Sequence, residues 1–574
     1  MNIQSMRRKL TNGITVIGYC LLVIGQTSCS DFLDILPMNE VVLENYWTEK
    51  ADVVSVRNSC YESLATSDAM TRIGIWGELR SDNIFAGANI PNDVSEVLKE
   101  NILSSNPYCN WSKLYECINR CNIVCHYAPK VQAIDPNYSE ADMKADVAEV
   151  SALRALCYFY LIRTFRDVPY TREPSIDDTQ NYIQPATKFD AVLDSLITDL
   201  ENVKNDAVRR YEIDRVNGSR YSFPEVNSSR ITRVAIWALL ADLYLWKQDW
   251  DNAIKYADMA IDYKRQQYDE LEQRVGDITE IDLIDEVPMI LECPDGSGDN
   301  GGHAYEAIFG EGNSFESIFE LYFSSRQNQE NTWVGDYYGN RNTPNGRLRA
   351  NGLTFGTSLL DVIQNKVALY KSSDGRFYES FRVEGSTLNI GKYVYSSVSY
   401  KTKSVTSEDN LELRTEMRGS NTAHWIFYRL SDMLLIKAEA LVERNLEGDM
   451  DAAFKMVDIV NKRANSLKQS LKISDYINSK IAMANLVMDE RRREFMFEGK
   501  RWYDLVRRSR RDGNTNYLVA AVKSKYEQNA NAIAIKMADP NIIYFPYSKN
   551  EMKVNPLLEQ NPAYRNGEDE EYSR

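Results

Sequence analysis

The sequence predicts a mostly α-helical chain: a helical-repeat scaffold carrying long irregular loops and a few short strands. Three observations carry that expectation. Small and aromatic residues recur at helical spacing in 145–165, 233–261 and 428–464. Between the last two stretches, residues 266–420 lose that spacing and fill with Gly, Asn, Ser and Tyr, with Pro288 and Pro344 breaking any helix. A chain of 574 residues with 43% hydrophobic and 11% aromatic content can fill a packed core, and helical repeats often reach this size as one architecture.

In chain order, residues 33–39 form an extended leader, because Pro37 prevents an early helix. Helical periodicity begins near Tyr46. The stretch 145–165 (ADVAEVSALRALCYFYLIRTF) stops at Asp167-Val168-Pro169. In 233–261, Trp237, Leu240, Ala241, Tyr244, Ala253 and Ala260 fall on the bulky and small positions of a tetratricopeptide helix pair, with Gln248-Asp249-Trp250 at its turn. Arg265 stands where the closing proline of such a pair is expected. Alanines at these offsets let two helices approach, and the aromatics fill the groove between them. The stretch 428–464 is a looser copy, opened by LLIKAEAL, interrupted near Glu447-Gly448-Asp449 and resumed over 452–460. Such repeats cannot bury their faces alone, so several must stack. The expected divisions are 1–28 as a signal segment, 29–45 as a tether, 46–265 as a helical repeat region, and 266–574 as a C-terminal region whose insert, about 266–420, is loop-rich.

The N-terminus carries Arg7, Arg8 and Lys9, an apolar run over 14–24, then Gly25-Gln26-Thr27-Ser28-Cys29. A positive flank, a short apolar core and small residues before a cysteine make a bacterial export signal ending in a lipid-attachment site. The apolar run is too short to span a bilayer. Cys29 is the expected acylated residue, since Ser28 suits the peptidase better than the Tyr19 that precedes Cys20. Acylation would place the rest of the chain at a membrane surface outside the cytoplasm.

A net charge of −16 argues against a nucleic-acid partner, which needs a basic footprint. Three histidines and the absence of G-x-S-x-G, H-E-x-x-H and P-loop motifs leave hydrolase and kinase readings without their parts, so no enzyme is expected. A glycosidase needs only two carboxylates, and 83 acidic residues cannot exclude one by counting. Cys117, Cys121 and Cys125 lie four residues apart on one helical stripe without a C-x-x-C hook, which describes small buried hydrophobes rather than a zinc site. Asp295, Ser297, Asp299 and Glu306 have calcium-loop spacing, but Asn300 replaces the required glycine and Pro294 spoils the entering helix. That segment is read as a solvated loop, and no cofactor is expected. Arg491, Arg492, Arg493, Arg507, Arg508, Arg510 and Arg511 interleave with Phe495, Phe497, Trp502 and Leu505, the pattern of an amphipathic helix whose arginines cap, pair or face solvent.

Trp333, Tyr337 and Tyr338 lie where no helical face demands them, with Asn331, Asn340 and Arg341 nearby. Exposed rings there could stack on a sugar face or an apolar side chain, with the polar neighbours adding hydrogen bonds; equally, the rings could pack the loop onto the frame. Trp76 with Arg80, Asp82 and Asn83 forms a second candidate edge.

Several segments together resemble the SusD/RagB family of Bacteroidetes surface lipoproteins. They are Cys29-Ser30-Asp31-Phe32-Leu33-Asp34 with Pro37, WSKLYECINRCN at 111–122, LRALCYFYLIRTFRDVP at 153–169, and ERRRE at 490–494 through EGKRWYDL at 498–505. The end matches too: Phe545-Pro546-Tyr547, Glu551, Asn555-Pro556 and Gln560-Asn561-Pro562-Ala563-Tyr564. The resemblance implies a non-catalytic protein on tetratricopeptide units, lipid-anchored at the outer membrane. It would act as a lid on a SusC-like TonB-dependent transporter and deliver oligosaccharides into it. It implies no particular ligand residues, and some relatives are linked to peptides. A surface glycoside hydrolase and a tetratricopeptide adaptor are the remaining alternatives.

Overall fold

The computed structural model of the protein describes residues 46–176, 183–211, 226–276, 278–293, 300–325, 329–351, 369–370, 374–384, 387–401, 412–465, 471–526 and 529–565. The expected signal segment, Cys29, the tether and residues 295–299 of the calcium-like spacing lie outside the described residues.

The frame is helical. It begins with α1 (Lys50–Leu64) and α2 (Ser67–Gly74), the latter running into a π-helical turn, Ile75–Leu79. Then come α3 (Asn92–Leu98), α4 (Ser112–Ile134) and α5 (Glu140–Phe165). The helix expected over 145–165 starts earlier because the Ser139 side chain accepts the Asp142 N–H (3.1 Å), satisfying an otherwise orphaned donor. It ends at Arg166, whose φ of 71° turns the chain out. Cys60, Cys117, Cys121 and Cys157 are buried on α1, α4 and α5, which pack together. They fill space as small apolar groups.

After α6 (Phe189–Val203), the expected helix pair forms as α7 (Arg233–Lys247) and α8 (Trp250–Val275). Gln248 takes a left-handed conformation (φ 64°) at the turn, and Asp249 caps α8 by accepting the Asn252 N–H at 3.2 Å. Ala241, Ala253 and Ala260 are fully buried between the helices, and Tyr244 stacks on Tyr256 at 5.7 Å. Because α8 runs to Val275, the division expected at residue 265 falls inside a helix. The looser copy forms α9 (Leu430–Arg444) and α10 (Asp449–Ala464), joined through Asn445 and Gly448, both at positive φ. Helix α8 packs on α9, so the helical frame continues across the loop-rich insert.

The insert holds short antiparallel pairs. β2 (Ile281–Ile284) pairs β3 (Val287–Ile290), β4 (Ser317–Leu321) pairs β10 (Trp425–Arg429), β6 (Phe381–Glu384) pairs β7 (Thr387–Ile390), and β8 (Tyr395–Lys401) pairs β9 (Leu413–Met417). One pair joins distant parts of the chain. β1 (Ile84–Ala86), just after α2, pairs β5 (Leu348–Ala350) with Ile84 opposite Ala350.

The last helices are α11 (Lys480–Glu494), α12 (Arg501–Asp512), α13 (Asn516–Val522), α14 (Ala530–Met537) and α15 (Lys549–Val554). Of the roles expected for the arginines of α11 and α12, these four take pairing: Arg491, Arg492, Arg507 and Arg508 are buried, each paired with a carboxylate. Among the described residues, no helix is long and apolar enough to cross a membrane.

Candidate functional site

The fold brings the two edges singled out in the sequence together. Trp76 and Tyr337–Tyr338 each lie on a π-helical turn, Ile75–Leu79 and Val334–Tyr338, a backbone form that recurs at functional sites. The Trp333 ring packs against Gly74, where an added Cβ would come within 2.2 Å of it. Trp333 stacks on Tyr337 (4.6 Å between centroids) and meets Tyr338 edge-on. The Trp76 indole donates to the Tyr108 carbonyl (2.8 Å), and the Tyr108 hydroxyl lies 3.4 Å from that of Tyr337.

Their surroundings match the second of the two readings, rings that pack the loop onto the frame, and not exposed stacking faces. Trp76, Trp333 and Tyr338 are 0% exposed and Tyr337 is 4% exposed. The Tyr338 hydroxyl donates to the Phe497 carbonyl at 3.0 Å, tying the insert to the turn between α11 and α12. Arg80 and Asn83 are equally inaccessible. Arg80 donates to both Glu100 oxygens and to the carbonyls of Ile542 and Ile543 (2.8 Å each), with its guanidinium over Trp502. Asn83 donates to Glu78 and accepts from Arg492, both at 2.9 Å. The physical reason is that long loops on a frame of this size must bury rings of their own. Of the candidates, Arg341 is exposed and Asn340 half-buried. Asn340 accepts the N–H groups of Asn342 and Thr343, shaping the turn, and Arg341 pairs with Glu416 at 2.8 Å. With half-buried Tyr108 and Arg347, they form a polar rim over a rigid aromatic base.

Beneath this rim, buried ion pairs fix the insert on the frame. Asp82 lies between Arg492 and Arg501 (3.0 and 2.9 Å); burial alone would raise its pKa, but the two guanidinium groups hold it at about 2. Glu498 receives Lys392 from the insert and Arg429 from the end of β10 (2.7 and 2.8 Å). Arg429 and Lys392 likewise outweigh burial and hold it at about 2. Arg376 spans Asp374, Glu490 and Glu494. Among the described residues Glu78 has no guanidinium partner; burial pushes it to about 7, against the bonds it accepts from Asn83 and the Gly499 N–H. A carboxylate dyad also exists. Tyr400 donates to Glu292 (2.8 Å) and lies 3.3 Å from Glu379, whose carboxyl is pushed well up by burial and by Glu292. All three are buried.

A feature that the sequence did not single out as a site is a groove of about 610 Å³ between the start of α4, the strap 169–175 and α15 with the turn after it. That volume falls in the range of about 300–1,000 Å³ found for small-ligand sites. Trp111 and half-buried Tyr115 form an aromatic wall, with Asn119, Asn122, Glu551 and Asn555 among the polar lining. Helical spacing places Trp111, Tyr115 and Asn122 on one side of α4, but the partner α15 lies more than 400 residues away (from 122 to 549), so local sequence could not reveal the cavity. Among the described residues, no cluster of three or more metal-ligating side chains is arranged to hold an ion.

This helical frame with a loop-rich insert is shared with known proteins. The SusD family model matches residues 315–564. A SusD-like protein, P38, from Formosa agariphila is 24% identical across 97% of this chain and 100% of its own length. A SusD-like protein from Bacteroides ovatus is 23% identical over 85% of this chain and 82% of its own. Among solved structures, a SusD superfamily protein from Bacteroides thetaiotaomicron aligns with a TM-score of 0.62 at 19% identity, covering 90% of this chain and 99% of that one. A laminarin-binding SusD-like protein aligns with a TM-score of 0.58 at 18% identity, covering 90% and 100%. Residues 315–564 thus carry the SusD family match, and similarity to SusD-like proteins runs through nearly all of the chain.

Proposed function

We propose that this protein is a non-catalytic, surface-exposed lipoprotein of the outer membrane that captures oligosaccharides and passes them to a SusC-like TonB-dependent transporter. The observation that carries this reading is the near full-length similarity to SusD-like proteins, supported by a fold shared with a laminarin-binding one. In this reading Cys29 is acylated and residues 29–45 tether the frame over the transporter. The capture surface is the rim of Tyr108, Asn340, Arg341 and Arg347. Buried Trp333, Tyr337, Tyr338, Trp76, Arg80 and Asn83 act beneath it as a base that keeps the rim in shape, sparing ordering entropy on binding.

Calorimetric titration of the purified protein with a panel of soluble glycans, with product analysis of each mixture, tests the reading. Binding of at least one glycan without release of fragments is expected. Released fragments would replace the reading with a glycoside hydrolase. Replacing Cys29 with Ala is expected to free the protein from the membrane fraction; retention there would overturn the anchor.

A further inference from the structure

The groove at the start of α4 differs chemically from the rim. Several of its polar side chains are committed to holding its own walls. Tyr115 donates to the Pro169 carbonyl (2.5 Å), and Asn119 both accepts from the Ser175 N–H (2.7 Å) and donates to its carbonyl (3.2 Å). Asn122 donates to the carbonyls of Thr171 and Glu173, and Asn555 to that of Gln184 at 2.7 Å. The groove's two carboxylates, exposed Glu173 and half-buried Glu551, are not committed in this way. Among the described residues the one side-chain partner of Glu551 is the Trp111 indole, and burial raises its pKa. Among the described residues no Lys or Arg lines the groove, and none pairs with Glu551. Apolar wall is supplied beside it by Ile118, Pro169 and Leu558, and by Val554, which is 72% exposed.

A carboxylate that is partly desolvated without a cation is paired well by an incoming ammonium or guanidinium group, whose hydrogen bond to it is charge-assisted. Apolar walls on the approach suit a hydrocarbon stem better than a hydroxylated ring. We propose that this groove is a second ligand site, separate from the rim, that takes a short peptide by the lysine or arginine side chain, with its head on Glu551 and its stem along Tyr115, Ile118 and Leu558. The proposal does not depend on the oligosaccharide reading.

The test is calorimetry of the purified protein with an end-capped leucine–lysine–leucine tripeptide, its side-chain-acetylated counterpart and a glucosamine trimer. The lysine peptide is expected to bind, and acetylation to weaken it at least ~10-fold, as loss of one charge-assisted bond implies. Glu551→Gln is expected to weaken the free peptide by a similar factor. Val554→Lys, a change at an exposed position, is expected to abolish binding by offering Glu551 a cation from within. Oligosaccharide binding by both variants is expected to stay unchanged, which separates a failure here from a failure at the rim. Equal affinity for free and acetylated peptide, full affinity in either variant, preference for the glucosamine trimer, or no binding of the lysine peptide would each overturn the proposal.

Discussion

The rim and the groove are both places where aromatic rings meet polar side chains, yet their accounting differs. At the rim, Trp76, Trp333 and Tyr338 are sealed, and Arg80, Asp82 and Asn83 are fully engaged below. At the groove, the wall is tied down by its own hydrogen bonds, but among the described residues Glu551 is left without a cation. The difference teaches that an aromatic residue in an irregular loop is not thereby exposed, and that an unmet electrostatic demand marks a site better than ring content does.

That contrast can be broken most sharply at Asp82. Replacing it with Ala leaves Arg492 and Arg501 buried without their carboxylate, so a stability loss of about 3–5 kcal/mol is expected in denaturant unfolding. A loss below 1 kcal/mol would mean that the layer under the rim is wetter than its burial implies. Gly74→Ala comes next. Its new Cβ would collide with Trp333, and overpacking of this kind costs roughly 1–3 kcal/mol. Thermal unfolding reads the loss, and glycan titration reads whether the rim moves with its base.

Arg341→Ala should behave in the opposite way. Its ion pair with Glu416 is exposed, so stability is expected to change by less than about 1 kcal/mol. Glycan affinity is expected to fall; unchanged affinity would remove Arg341 from the capture surface. The smallest effect is a pH slope. Glu78 titrates near 7 in the folded chain, above its ordinary value of 4.5. Between those values the folded state holds a proton that the unfolded state has released, so this group makes stability fall as pH rises from 4.5 to 7. Glu78→Gln removes that slope. Its melting temperature relative to the natural protein should therefore be more favourable at pH 8 than at pH 5.5. An equal difference at both would show that Glu78 is solvated. Asp82 and Glu498, held at about 2, act in the reverse sense. Their stabilisation is complete above the ordinary carboxylate range and is lost as pH falls towards 2.

The frame was legible because its signals are local. Trp237, Ala241, Tyr244, Ala253 and Ala260 lie within one helix pair, and Gln248-Asp249 marks the turn. The end of α5 near Val168-Pro169 was equally plain. The insert was legible as a loop-rich region with short strands, but the burial of its rings was not. Trp333 is hidden by Gly74, more than 250 residues earlier, through the pairing of β1 with β5, and no periodicity records such an encounter. The arginines of α11 and α12 could be read as pairing but not as buried, because the carboxylates that allow them inside, Asp82 and Glu439 among them, come from other elements. Glu551 stood in a C-terminal motif, but a sequence cannot display a missing partner.

The account rests most directly on capture without turnover. Titration of the purified protein with a broad set of soluble oligosaccharides, followed by sizing of the sugars recovered, tests it. The account predicts saturable binding of at least one glycan, recovered at its original length; no binding across the set, or shortened chains, would contradict it.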